Sequence, residues 1–99
     1  MKKIFKYILN NYGTVCQGNT ILEMPGNAII IKCNYQRCID DWNTVNLCMW
    51  AIIDPDKELI SRAFMVIATG DRIPVKCEYI TTVTSDNGQF ISHVFEYHE

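Results

Sequence analysis

The chain has 99 residues, 48% hydrophobic and 20% charged, proportions of a globular domain and not of a disordered segment. Its formal net charge of −2 argues against a dedicated duplex-binding protein, which carries a basic stripe, and no apolar run approaches the ~18 residues of a membrane span. A chain this short is expected to form one domain, residues 1–99, that buries about 60–65% of the surface its unfolded form exposes.

Lys2 to Leu9 reads as a first strand, with Phe5, Tyr7 and Leu9 on one face and Ile4, Lys6 and Ile8 on the other. Met1-Lys2-Lys3 imitates the start of a signal peptide, but Lys6 interrupts the apolar stretch and Asn10-Asn11 ends it too early for a cleavable leader. Asn10 to Asn19, rich in Asn and Gly, is predicted to be a loop. Thr20 to Met24 is a short strand stopped by Pro25-Gly26. Asn27 to Tyr35 holds Ala28-Ile29-Ile30-Ile31, a run suited to a buried strand, and Gln36 to Thr44 is a polar loop carrying Trp42.

Val45 to Ile53 is the most informative segment. Leu47, Met49, Ala51 and Ile53 alternate with Cys48, Trp50 and Ile52, so both faces of this strand are apolar and both need cover. A short chain has little material for two cores, which leaves one face for a partner, a ligand or a second sheet. Asp54-Pro55-Asp56-Lys57 then turns the chain, with proline presetting φ. Leu59 to Ala68 puts Arg62, Phe64 and Val66 opposite Ala63, Met65 and Ile67, and Thr69-Gly70-Asp71 ends it. Lys76 to Thr84 and Phe90 to Tyr97 pair as a hairpin around Ser85-Asp86-Asn87-Gly88. No window shows a convincing helical period. The expected fold is all-β, a small antiparallel sandwich or barrel of six to seven strands.

Five cysteines (Cys16, Cys33, Cys38, Cys48 and Cys77) form an odd set without Cys-x-x-Cys, which fits free, mostly buried thiols in a reducing cytoplasm better than a disulfide framework or zinc ribbon. No catalytic constellation, cofactor motif or metal-ligand spacing is present. His93 reads as an imidazole bonded to a neighbouring strand or loop, and Asp54 and Asp56 as turn formers. Thr69-Gly70-Asp71-Arg72 reads as an ordinary turn, with a small anion nest as its alternative. Arg62, Arg72 and Lys76 are the cations nearest the central strands. Salt bridges explain them, and so does a bound anion whose base stacks on Trp42 or Tyr79. The candidate ligand-binding set is therefore Trp42, Arg62, Arg72, Lys76 and Tyr79.

Met1-Lys2 with Ile4-Phe5-Lys6-Tyr7, then Met24-Pro25, Trp50-Ala51-Ile52-Ile53-Asp54-Pro55, Thr69-Gly70, Tyr79-Ile80-Thr81-Thr82-Val83 and His93-Val94-Phe95-Glu96 follow one another in an ordered pattern. This pattern resembles a family of small phage and prophage proteins over nearly the whole chain; Asn10–Asn19 and Gln36–Asn46 are longer than in its members. The resemblance implies a viral accessory protein, without established catalysis, in the host cytoplasm. Phage proteins of this size often act by binding. The expectation is thus a homo-oligomeric, non-enzymatic counter-defence factor that sequesters a nucleotide-derived immune signal, as a sponge. The alternatives are an inhibitor that binds a host defence protein and a structural accessory subunit. Any ligand pocket is expected between subunits, because the fold lacks room for an interior one of about 300 Å³.

Overall fold

A computed structural model describes residues 1–12, 18–38, 40–41, 45–85, 88 and 91–98. Its strands are β1 (Lys3–Tyr12), β2 (Gly18–Pro25), β3 (Ile29–Arg37), β4 (Val45–Ile53), β5 (Leu59–Ala68), β6 (Cys77–Thr84) and β7 (Ile91–Tyr97). They form two antiparallel sheets, here sheet I, ordered β1-β4-β3, and sheet II, ordered β2-β5-β7-β6. The fold is a seven-stranded antiparallel β-sandwich, and the barrel alternative is not realised.

The two-faced strand β4 is the centre of sheet I. Its Leu47, Met49, Ala51 and Ile53 are buried in the core, where they meet Met24, Phe64, Val66, Val83 and Val94 of sheet II. Alternation on both sheets produces this layer: Phe64 and Val66 of β5, Val94 of β7 and Met24 of β2 share the inner face. Cys48, Trp50 and Ile52 face away from the core. The second sheet therefore covers one apolar face of β4 and leaves the other on the outside.

In sheet II, β7 lies between β5 and β6 and is antiparallel to both, so β5 and β6 run parallel. The connection between them, residues 69–76, must travel the length of β7, from the Ala68–Ser92 pair to the Cys77–Tyr97 pair, roughly 17 Å at strand rise. It passes over the outer face, where Ile73 joins Ile67, His93 and Phe95 around one small hollow. That strap, with the Tyr79 ring edge-on to Phe95, accounts for Ile67 and Phe95 being only 6% exposed although they point away from the core.

Three segments differ from the expectation. β1 continues to Tyr12 and β2 begins at Gly18, so strand backbone replaces both ends of the expected 10–19 loop; residues 13–17 lie outside the described residues. β3 extends to Arg37, because Gln36 and Arg37 stay paired with Asn46 and Val45. Lys76 precedes β6 in a left-handed conformation, φ 68°, instead of starting the strand. In the β6–β7 turn, Gly88 at φ 74° donates its N–H to the Ser85 carbonyl (2.9 Å), and Asp86 and Asn87 lie outside the described residues.

Candidate functional site

Two features of the sandwich are candidates: a buried ion pair between the sheets and the uncovered outer face of sheet I. The ion pair follows from alternation. Arg62 shares the inner face of β5 with Phe64, and Glu96 shares the inner face of β7 with Val94. Their side chains are 16% and 8% exposed, and they meet in a bidentate contact, with Arg62 Nε donating to one Glu96 oxygen and Nη2 to the other, both at 2.7 Å. Arg62 Nη1 donates to the Ala28 carbonyl at 2.8 Å, and the guanidinium lies 5.6 Å from the centre of the Phe64 ring. The hydrogen bonds to Glu96 hold the Arg62 pKa above its ordinary value against the opposing pull of burial.

Glu96 stands directly across from Glu78 on β6, a like-charge pairing that alone is unfavourable. Each carboxylate has its own partner: Glu96 has Arg62, and Glu78 is 3.1 Å from His98 Nε2. Glu78, Glu96 and His98 bring ligand atoms within 4.8 Å of one another. Arg62 already engages both Glu96 oxygens, and its positive charge opposes a metal cation there. The trio is a charge network. His98 is tied by its backbone N–H to the Lys76 carbonyl at 2.8 Å.

A cleft of about 710 Å³ opens beside this pair, lined by Arg62 and Glu96 together with Asn27, Ala28, Ser61 and His98. The cleft is open to solvent and is not the interior pocket for which the sequence left no room.

The predicted ligand residues do not converge on it. Arg62 is inside, bonded to Glu96. Tyr79 is on the opposite face of sheet II, packed on Phe95 with its hydroxyl 2.8 Å from Thr82 Oγ1. Arg72 is exposed on the strap, and Lys76 is exposed where the strap ends. Trp42 lies outside the described residues. The Thr69-Gly70-Asp71 turn spends the Asp71 N–H on the Ala68 carbonyl (3.1 Å), with Gly70 at φ 94°. His93 is bonded through both ring nitrogens, Nε2 to Thr69 Oγ1 (2.8 Å) and Nδ1 to Thr82 Oγ1 (2.9 Å), and so pins the start of the strap to β6.

The outer face of sheet I is built in rows. Ile4, Ile52 and Ile29 are in register, as are Lys6, Trp50 and Lys32, and Ile8, Cys48 and Asn34. A bulge between Ile30 and Lys32 adds Ile31 beside the first row. Ile4 is 62% exposed, Ile8 48%, Ile29 56% and Ile31 47%, around half-buried Trp50 and Ile52. Lys6 Nζ reaches Gln36 Oε1 at 2.8 Å across the sheet, over the buried Cys48, whose thiol burial pushes above its ordinary pKa while Lys6 pulls it back.

Residues 1–99 match the family described as Domain of unknown function (DUF7352). The chain belongs to the DUF7352 family. No curated protein and no solved structure matches it.

Sequence reasoning found the two-faced strand of this DUF7352 chain but missed the Glu96 partner of Arg62. The signal was available in Arg62-x-Phe64 and Val94-x-Glu96, two charged residues each in step with core residues of its own strand. It also missed the isoleucine band, because Ile29 and Ile31 were read as part of a buried run. The four described cysteines, Cys33, Cys38, Cys48 and Cys77, are free, and Cys16 lies outside the described residues. Among the described residues no helix is long and apolar enough to cross a membrane.

Proposed function

We propose that this DUF7352 protein is a non-enzymatic binding protein whose working surface is the outer face of sheet I. The observation that carries this is the cluster of Ile4, Ile8, Ile29 and Ile31 standing in solvent around Trp50. A soluble domain rarely leaves so contiguous an apolar band uncovered, and such patches mark interaction sites. Arg62 and His93 are meanwhile engaged structurally, Arg62 with Glu96 and His93 with two threonines. The resemblance to small phage and prophage proteins supports a counter-defence setting in the host cytoplasm, and the free thiols suit a reducing compartment.

Within that setting, binding to protein is favoured over capture of a nucleotide-derived signal. Phosphate recognition needs uncompensated donors, whereas Arg62 commits three N–H groups to Glu96 and Ala28 and has its charge cancelled. Native mass spectrometry of the protein drawn gently from producing cells tests the proposal. A stoichiometric added mass, present in the wild type and absent from an Ile29→Asp/Ile31→Asp variant, supports it. An added mass of nucleotide size that survives those substitutions and is lost in Arg72→Ala/Lys76→Ala moves the function to the sponge alternative.

A further inference from the structure

We propose that the open stretch of β5 beyond the end of β7 takes an extended peptide strand of another molecule, laid antiparallel to β5 in the line that β7 leaves. Sheet II is one strand short at this end. β5 is paired with β2 from Leu59 to Val66, but with β7 only from Ala63 to Ala68. Among the described residues, no strand stands beside Leu59 to Arg62 on the β7 side. The gap is separate from the outer face of sheet I.

One hydrogen bond fixes which backbone groups face it. Gly26 N–H donates to the Glu58 carbonyl at 3.1 Å, so Glu58 is turned to β2. Successive residues of an extended strand turn their N–H and C=O to opposite sides. Ile60 and Arg62 are therefore also turned to β2, and Leu59 and Ser61 to the gap. Ala63, the last residue opposite Tyr97, has the same phase as Ser61, so the open groups continue the β5–β7 ladder. His98 adds no rung to β5, because its N–H goes to the Lys76 carbonyl at the head of β6. Two donors and two acceptors of an interior strand, in pairs ~6.8 Å apart, thus face outward with strand spacing.

The side chains agree. Ile60 shares the inner face of sheet II with Met24, its partner on β2, yet Met24 is fully buried and Ile60 is 44% exposed. An isoleucine aimed between the sheets stays this exposed because no neighbour stands on its other side. The cleft of about 710 Å³ follows the gap, lined by Ile60, Ser61 and Arg62 of β5, by Tyr97 and His98 where β7 stops, and by the Gly26–Ala28 turn. Gly26 lies against the Ile60 side chain.

This chemistry names the occupant. N–H and C=O pairs at strand spacing match another peptide backbone, the basis of strand addition. Arg62 and Glu96 border the cleft as a pair without net charge, which gives a phosphate or a carboxylate nothing to gain. The peptide residue opposite Ile60 points inward, toward Ala28, and should be small and apolar. Those opposite Leu59 and Ser61 point outward and can be polar.

The test titrates the full-length, isotope-labelled chain with the acetylated, amidated peptide Thr-Val-Thr-Val-Thr, followed by amide NMR shifts and hydrogen exchange. Binding is expected with a dissociation constant below about 500 μM, with the amides of Leu59 and Ser61 exchanging at least about tenfold more slowly in the complex. In this register a valine faces Ile60 with its N–H turned away from β5, and the threonines turn theirs toward β5. N-methylation of the threonines should therefore weaken binding at least tenfold, and N-methylation of the valines less than threefold. Ser61→Pro removes a donor facing the gap and spares the β2 ladder; once circular dichroism shows that it folds, it should bind at least fivefold more weakly. The N-methylated peptides carry the test if that variant does not fold. No binding up to about 1 mM overturns the proposal. So do equal losses from the two methylations, which would mean a contact that is not a strand. Leu59 and Ser61 amides already slow to exchange in the free protein would show the edge filled and overturn it, as would shifts centred on Trp50 and Ile29, which would place the peptide on sheet I.

Discussion

Replacing Glu96 by leucine leaves the Arg62 guanidinium between the sheets with its charge uncompensated. Removing one partner of a buried pair costs about 3–5 kcal/mol. Arg62 keeps 16% of its side chain exposed and borders the cleft, so water can reach it, which puts the expected cost near the lower limit, about 3 kcal/mol. A domain of this size has a total stability of about 5–15 kcal/mol, and each kcal/mol moves its midpoint by roughly 4–8 °C. Glu96→Leu should therefore lower the melting temperature by roughly 12–24 °C. Arg62→Met together with Glu96→Leu removes both charges and fills the space with apolar atoms. That double variant should recover most of the loss and fall within about 1 kcal/mol of the wild type, the remainder being the Ala28 carbonyl left without its donor. Urea unfolding followed by tryptophan fluorescence measures all corners of the cycle, with unchanged m-values confirming a common unfolded reference. A Glu96→Leu cost below about 1 kcal/mol would refute the burial argument, because a solvated pair is worth no more than that. A double variant as unstable as Glu96→Leu would show that the packing of the arginine stem matters more than its charge.

Burial pushes the Cys33 thiol from 9.0 to about 11. The unfolded chain then ionises first, so the contribution of Cys33 is full below pH 9 and is lost between pH 9 and 11, reaching about 1.4 kcal/mol by pH 10. Urea titrations in reductant at pH 8, 9 and 10 should show the decline, and Cys33→Ala should make it shallower. Lys76 occupies the left-handed region at φ 68°, which a β-branched residue resists, so Lys76→Val should destabilise by about 1–2 kcal/mol while Lys76→Gly costs little or nothing. Thermal melts of the two variants side by side check this, and equal losses would contradict the backbone explanation.

Much of the fold was legible because period-two alternation survives in most strands. β4 and β5 have the bounds that composition and turn residues suggest, and Arg62, Phe64 and Val66 do share a face. The strand ends at Tyr12, Gly18 and Arg37 were hidden because Asn, Gly and Gln carry little strand propensity, yet pairing with a neighbour holds their backbone extended. Sheet order was not legible at all. A chain of short strands and turns suggests neighbours in sequence pairing as hairpins, and only the β3–β4 and β6–β7 pairs do so. The remaining pairs are long-range, and no local pattern announces that residues 69–76 must recross β7.

The candidate site was harder to read for a related reason. Arg62 looks like an anion ligand in one dimension because its counter-charge is thirty-four residues away. Tyr79 looks like a stacking partner for the base of the same ligand, although the pleat turns it to the other side of sheet II. The apolar surplus of β4 was visible, but whether a second sheet or a second molecule covers each face depends on which strands flank it. With Ile4 and Ile8 on one side and Ile29 and Ile31 on the other, the flanking strands reinforce the uncovered face and do not hide it. A strand meant only to face water would be relieved by polar neighbours at those positions. Isoleucine at four of them makes sense where a surface is kept apolar for something that lies against it.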